Sequence, residues 1–192
     1  MDKVGIPMKR IFCILIAVLL LAGCSDSNAE LERAMQIRAV MIAKAVEFDT
    51  DITADYGNVS YSFSMHCKVD TTGNMTFEVT KPESLAGISG SVSTTGGKLT
   101  FDDTALAFEL MADGQLTPVS SPWVLVKTMR SGYLSSCCME EELLRATIDD
   151  SYKEDALHLD IWFGSDDAPV QAEIYWQGRR LLSMRIENFT MA

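Results

Sequence analysis

The sequence predicts an α+β fold, in which a curved antiparallel β-sheet has an N-terminal helix and a mid-chain helix covering its concave face. Residues 59–70 alternate apolar and polar side chains, which is typical of a strand with one buried face. Short turns separate the later strand-like segments, and hairpin-length turns imply antiparallel neighbours. A sheet with one solvated face has only its other face to fill, so it is free to curl around the two helices.

The N-terminal segment is typical of an exported protein. The basic Met8-Lys9-Arg10 precedes the apolar residues 11–21, a run too short to span a bilayer comfortably but suited to a signal peptide. Leu21-Ala22-Gly23-Cys24 then resembles the lipobox of bacterial lipoproteins, whose cysteine becomes the acylated first residue of the mature chain. A membrane helix, or an unmodified cysteine after an ordinary signal peptide, is the alternative.

These features predict a signal peptide over residues 1–23, a polar tether over 24–28 and one domain over 29–192. Lipid on Cys24 would anchor the domain on the extracytoplasmic side of a bacterial membrane, and this membrane is its first expected partner. Two acyl chains are enough for stable anchoring. The cell envelope is therefore the predicted location.

The predicted mature chain is strongly acidic. The whole sequence has 16 basic and 27 acidic residues and a formal net charge of −11. Loss of the signal peptide removes Lys3, Lys9, Arg10 and Asp2, which leaves 13 basic and 26 acidic residues and a net charge of −13. Such a surface repels phosphate backbones, so the composition excludes nucleic-acid binding.

Two helices are predicted. Residues 29–46 form the first, because apolar side chains recur near the helical period as one stripe. The stripe consists of Leu31, Met35, Ile42 and Val46. Ser121-Pro122 begins the second, with Ser121 as the N-cap and proline at the first helical position. This second helix continues through Met129.

The remaining elements are predicted to be strands. A strand over residues 59–69 turns at 71–74 into a returning strand that contains Met75, Phe77 and Val79. Residues 135–142 are ambiguous between strand and other structure. Further strands are predicted in seven segments: 88–94, 98–102, 104–110, 143–150, 156–163, 169–176 and 180–188.

No local motif predicts catalysis, a cofactor or a metal ion. The sequence lacks the known nucleophile, zinc and phosphate-loop motifs. His66 and Cys67 are neighbours on one strand, so their side chains point to opposite faces and cannot share a metal ion. His158 falls on the polar face of its strand with Asp160 and Trp162. Both histidines are predicted to be solvated, and the chain is predicted not to be an enzyme.

Residues 49–60 faintly suggest a calcium loop, because oxygen-bearing side chains alternate at its beginning. Ala54 stands where the EF-hand loop requires glycine, and Ser60 stands where it requires the final glutamate. The calcium-loop interpretation therefore fails.

Three cysteines remain in the predicted mature domain: Cys67, Cys137 and Cys138. Thiols can oxidise outside the cytoplasm. A disulfide from Cys67 to Cys137 or Cys138 is one alternative, and buried free thiols are the other, since spacing alone assigns no bridge.

Several apolar side chains are candidates for a ligand-binding surface on the concave face. They are Met35, Phe63, Met65, Phe77, Met129 and Met184. Flexible thioethers fill irregular cores, and they also line adaptable apolar pockets. Core filling is the competing interpretation for every one of them.

The order of these elements resembles the bacterial lipoprotein carriers of the LolA/LolB-like fold. The similarity lies in the lipobox, the N-terminal helix, the long strand over 59–69, the strand exit Phe77-Glu78-Val79-Thr80-Lys81-Pro82-Glu83, and the last hairpin beginning at Ala168-Pro169. The family implies a half-barrel with a lidded apolar cavity for acyl chains and no catalysis. A lipid or another apolar molecule is then the expected ligand. The alternative is an envelope interaction or sensing module with a packed core and a protein partner.

Overall fold

The computed structural model describes residues 26–102, 104–112 and 115–192. The predicted signal peptide and Cys24 lie outside the described residues. Helix α1 spans Asp26–Ala43, and helix α2 spans Ser121–Ser131 after a 3₁₀ turn at Pro118–Ser120. The strands are β1 Val46–Asp55, β2 Ser60–Val69, β3 Met75–Lys81, β4 Ser89–Ser93, β5 Gly96–Phe101, β6 Thr104–Phe108, β7 Met111–Ala112, β8 Gln115–Leu116, β9 Tyr133–Glu140, β10 Leu143–Asp149, β11 Leu157–Phe163, β12 Pro169–Trp176 and β13 Arg179–Met191.

Eleven of these strands form one curved sheet that does not close into a barrel. Its order is β6-β5-β4-β3-β2-β1-β13-β12-β11-β10-β9, and the pairing registers are antiparallel throughout. Buried side chains of α1 and α2 belong to the same apolar core as one face of the sheet. The structure therefore confirms the predicted α+β half-barrel with two helices.

Strand β1 lies at the centre of the sheet, between β2 and β13, and the sequence analysis missed it. Val46 was expected to end the first helix, and the acidic residues after it were compared with a calcium loop. Burial along β1 instead alternates from Val46 to Asp55, with Phe48 and Ile52 in the core. Acidic side chains alternate along the outer face, and the buried inner face is apolar apart from Thr50, as is typical of a half-buried strand.

Helix α1 begins earlier and ends earlier than expected. Residues 26–28, which the sequence analysis assigned to the tether, are helical, and the helix ends at Ala43. Its buried face is formed by Ala34, Ile37 and Met41. The predicted stripe is exposed instead at Leu31, Met35 and Ile42. Both faces of the helix carry apolar residues, and the small side chain of Ala34 suits the face that lies close to the sheet.

The structure corrects the predicted N-cap of α2 and resolves the ambiguous residues 135–142. The N-cap of α2 is Ser120, not Ser121, because the preceding 3₁₀ turn runs directly into the helix. The Ser121 hydroxyl donates backwards to the carbonyl of Pro118 at 2.7 Å. The ambiguous residues 135–142 lie mostly in β9, which is an edge strand of the large sheet.

Candidate functional site

The concave face beneath α1 is the candidate site, because its lining is almost wholly apolar. Helix α1 closes over strands β9, β10 and β11 there. The lining side chains are Ala34, Ile37, Arg38, Met41, Met129, Leu134, Ala146, Ile148 and Phe163. The space left between them is about 10 Å³, close to the minimum for one water molecule. In this conformation the space beneath α1 is therefore packed, and its volume is far below the several hundred Å³ of ordinary small-molecule sites.

The structure separates the six predicted ligand-binding residues. Met129 lines the space beneath α1. Met65, Phe77 and Met184 are buried elsewhere in the same core, and Phe63 packs against that core while partly exposed. Met35 lies on the outer side of α1 and is exposed. A ligand-binding role for these residues stays a prediction. In the structure, the buried ones fill the apolar core.

Arginine side chains fasten the two flanks of α1. The Arg33 guanidinium donates from Nε to the Asp167 carboxylate and from Nη2 to the Gly164 carbonyl, each at 2.7 Å. On the other flank, Arg38 Nε donates to the carbonyl of Met129 in α2 at 2.9 Å. Burial lowers the pKa of Arg38.

A third arginine holds the C-terminal end of α1. Arg130 of α2 donates from Nε to the Met41 carbonyl at 2.9 Å and from Nη2 to the Lys44 carbonyl at 2.7 Å. Its Nη1 donates to the Asp70 carbonyl at 2.7 Å, which ties the β2–β3 turn into the same contact. The hydrogen bonds of Arg33 and Arg38, which we call the flank clamps, and those of Arg130 at the helix end thus supplement the small apolar face of α1.

Sequence reasoning missed Arg33, Arg38 and Arg130. Their acceptors are mainly backbone carbonyls at distant positions in the chain, and no local motif marks such contacts. The one sequence feature that could identify these arginines is a basic residue beside the buried face of a helix. Ordinary surface arginines have the same feature, so it does not distinguish the two groups.

The three cysteines of the domain are free thiols. Cys67 is buried in the core, and this burial raises the pKa of its thiol. Cys137 is half-buried on β9 opposite Ala146 of β10, and burial raises its pKa as well. Cys138 is exposed. Neither proposed disulfide is therefore formed in the structure.

Carboxylates hold both histidines at the outer face of the sheet. His66 Nδ1 lies 2.7 Å from Asp49 Oδ1, and its Nε2 lies 3.1 Å from Glu47 Oε1. His158 Nδ1 lies 2.8 Å from Asp149 Oδ1. Among the described residues, no group of three or more His, Cys, Asp or Glu side chains is placed to hold a metal ion. Neither described helix combines the length and apolar character needed to cross a membrane.

No protein-family model matches the chain, and no curated protein matches it. Among solved structures, the chain is similar to a LolA superfamily protein from Nitrosomonas europaea, with 10% identity over 88% of this chain and 94% of that one and a TM-score of 0.43. It is similar to the lipoprotein LppX of Mycobacterium tuberculosis, with 11% identity over 84% and 93% and a TM-score of 0.41. It is also similar to an uncharacterized conserved protein from Thermus thermophilus, with 9% identity over 86% of each chain and a TM-score of 0.45. At these identities the similarity concerns the fold and assigns no role to any residue of this chain.

Proposed function

We propose that this protein binds a lipid acyl chain or a comparable apolar ligand between α1 and the concave face of the sheet, without catalysing a reaction. Lipid on Cys24 would hold it on the extracytoplasmic side of a bacterial membrane. The observation that carries this proposal is an apolar concave surface closed by a helix with few buried side chains of its own. Because the space beneath α1 is about 10 Å³, binding requires α1 to move outwards.

The free energy needed to expose the buried face of α1 and the free energy gained by burying an acyl chain are of comparable size. Moving α1 exposes Ile37 and Met41, and each such side chain costs about 1.5–3 kcal/mol when it leaves the core. An acyl chain contributes about 0.8 kcal/mol for each buried CH₂. About four to eight buried methylene groups would therefore offset the exposure of the α1 face. A fatty acyl chain is long enough, and a short polar metabolite is not.

Removal of one flank clamp should strengthen ligand binding. Arg33→Ala removes a partly exposed ion pair and a hydrogen bond to a carbonyl, together worth about 1 kcal/mol. Since this energy favours the closed state, its loss should lower the apparent Kd for the fluorescent fatty acid cis-parinaric acid by about fivefold. Titration of detergent-free, delipidated protein measures this change, and competition by oleate checks that the probe occupies a fatty-acid site.

Arg185→Ala is the matched control. Arg185 is an exposed arginine of β13 that pairs with Glu187 at 3.2 Å, and it makes no contact with α1 in the described ion pairs. Its substitution should leave the affinity for cis-parinaric acid unchanged. If neither the wild type nor a folded Arg33→Ala variant binds the probe saturably, the proposed ligand site is refuted.

The lipid anchor has its own test. Cells that express the wild-type protein and are fed an alkyne-modified fatty acid should yield labelled protein, whereas Cys24→Ala should yield none. Cys138→Ala is the control, because Cys138 is exposed in the folded domain and lies outside the lipobox. Labelling that persists in Cys24→Ala would show that the acyl group is attached elsewhere.

A packed-core interaction module is the second candidate function, and the small size of the space beneath α1 favours it. Such a module would present its acidic surface to a protein partner in the envelope. In-cell crosslinking would then recover one discrete partner, and neither the wild type nor Arg33→Ala would bind cis-parinaric acid. The two candidates therefore give opposite results in the same titration.

A further inference from the structure

The outer face of strands β10–β12 buries charged and aromatic side chains, which is unexpected for the solvated side of the sheet. His158, Asp160 and Trp162 point outwards from β11, on the face that the sequence analysis identified as polar. Asp160 is 3% exposed and Trp162 is 9% exposed. Arg145 of β10 covers both: its Nη2 donates to Asp160 Oδ2 at 2.6 Å, and its guanidinium carbon lies 5.4 Å from the centre of the Trp162 ring.

A hydrogen-bond network continues across the neighbouring strands. The Thr147 hydroxyl donates to Asp160 Oδ1 at 2.7 Å. Asp160 stands directly opposite Glu173 in the pairing of β11 with β12. Like charges in such a pair repel each other, and each is offset here by its own arginine. Arg180 Nη1 donates to Glu173 Oε1 at 2.6 Å, and the Tyr175 hydroxyl donates to Glu173 Oε2.

Stability is a weak explanation for such a network. Burying a carboxylate carries a desolvation penalty of several kcal/mol, and replacement of a buried ion pair by apolar residues is often neutral or stabilising. The network does fix the positions of the Arg145 and Tyr175 side chains. Side chains held in place before binding lose little entropy when a ligand arrives, which is a property of binding sites.

An open cleft of about 750 Å³ lies over this network. Arg145, Asp160, His158 and Tyr175 lie along it, and the β10–β11 loop lines it with Tyr152. The Tyr152 side chain is 83% exposed, and its ring packs against that of Tyr133 with the ring centres 3.4 Å apart. The cleft thus combines fixed polar groups with an aromatic surface open to solvent.

The chemistry of the lining indicates the ligand class. The lining contains the carboxylates of Asp149, Glu154 and Asp160 together with the basic Arg145 and Lys153, so neither a polyanion nor a polycation matches its charges. Both hydrogen-bond donors and acceptors are present, which suits hydroxyl groups because each hydroxyl donates and accepts. Tyr152 and Tyr175 add ring faces against which an apolar surface can pack.

We propose that this cleft binds a neutral, hydroxyl-rich ligand of the oligosaccharide class. The site lies on the opposite face of the sheet from α1, so it is independent of the apolar ligand proposed above. The mixture of acidic and basic side chains, the fixed positions of Arg145 and Tyr175, and the exposed ring of Tyr152 support a sugar over a lipid or a phosphate.

Calorimetric titration of the full-length protein with maltotriose, cellotriose and triacetylchitotriose tests the proposal. At least one of these should bind saturably with a Kd below about 1 mM. Tyr152→Ala should weaken that binding about fivefold, through loss of an aromatic packing surface. Tyr61→Ala is the matched control, because Tyr61 is also exposed but lies on β2, outside the cleft.

Three outcomes would overturn the proposal. The first is the absence of saturable binding for all three sugars. The second is an equal loss of affinity in Tyr152→Ala and Tyr61→Ala, which would place the sugar elsewhere. The third is binding of spermidine or inorganic phosphate in place of the sugars, which would show that the cleft selects charge.

Discussion

Substitution of Phe48 by alanine is expected to lower the free energy of unfolding by about 4 kcal/mol. Phe48 is 1% exposed and lies on β1, between β2 and β13. Its ring lies 5.6 Å from that of Phe189 on β13, centre to centre. Truncation removes the apolar contacts of the ring and leaves a cavity that a paired central strand cannot collapse to fill. Urea denaturation monitored by circular dichroism measures the change.

Thr53→Ala is the control on the same strand. Thr53 points to the exposed face of β1, where its hydroxyl lies 3.2 Å from that of Ser62. A change within about 0.5 kcal/mol is expected for such a surface substitution. Equal losses in Phe48→Ala and Thr53→Ala would contradict the alternating burial of β1 and its central position in the sheet.

Substitution of Gly90 by alanine is expected to cost about 3 kcal/mol, because β4 approaches its neighbours too closely for a side chain. A Cβ atom at this position would lie 2.2 Å from the carbonyl oxygen of Lys98 and 2.7 Å from Cζ of Phe77. The Phe77 ring could turn away, but the Lys98 carbonyl is part of the β5 backbone. The two strands would have to separate, which weakens the hydrogen bonds between them.

Ser91→Ala tests the same strand without this collision. Ser91 is exposed on β4 beside Gly90, and it faces Lys98 in the pairing with β5. Its substitution should change the unfolding midpoint by little, whereas Gly90→Ala should shift it strongly. Similar midpoints for Gly90→Ala and the wild type would show that β4 and β5 can move apart at little cost.

The fold class could be predicted from the sequence because most strands alternate cleanly between apolar and polar residues. β2, β3 and the strands from Leu143 onwards follow that rule and were predicted close to their observed bounds. β1 follows it too, as Val-Glu-Phe-Asp-Thr-Asp-Ile-Thr-Ala-Asp. The same alternation of oxygen-bearing side chains also resembles the start of a calcium loop, so the pattern is compatible with two interpretations.

The candidate sites were harder to predict, for two physical reasons. Helix α1 carries apolar residues around much of its circumference, so the sequence does not distinguish the buried face from the exposed stripe. Contacts that depend on distant backbone carbonyls, such as those of Arg33 and Arg130, have no local pattern at all. The burial of Asp160 has no local pattern either, because the side chains that contact its carboxylate, Arg145 and Thr147, lie on the neighbouring strand β10.

The central pairing of β1 with β13 also sets the order in which the sheet can be completed. Strands β1 to β6 and strands β9 to β13 are two consecutive meanders, each built from neighbours in sequence. The pairing that joins them runs from Val46 with Met191 to Ala54 with Leu182, near opposite ends of the domain. Contacts between such distant residues carry a large loop-closure cost and form slowly. The first meander therefore keeps its β1 edge unpaired until β13 is available to pair with it.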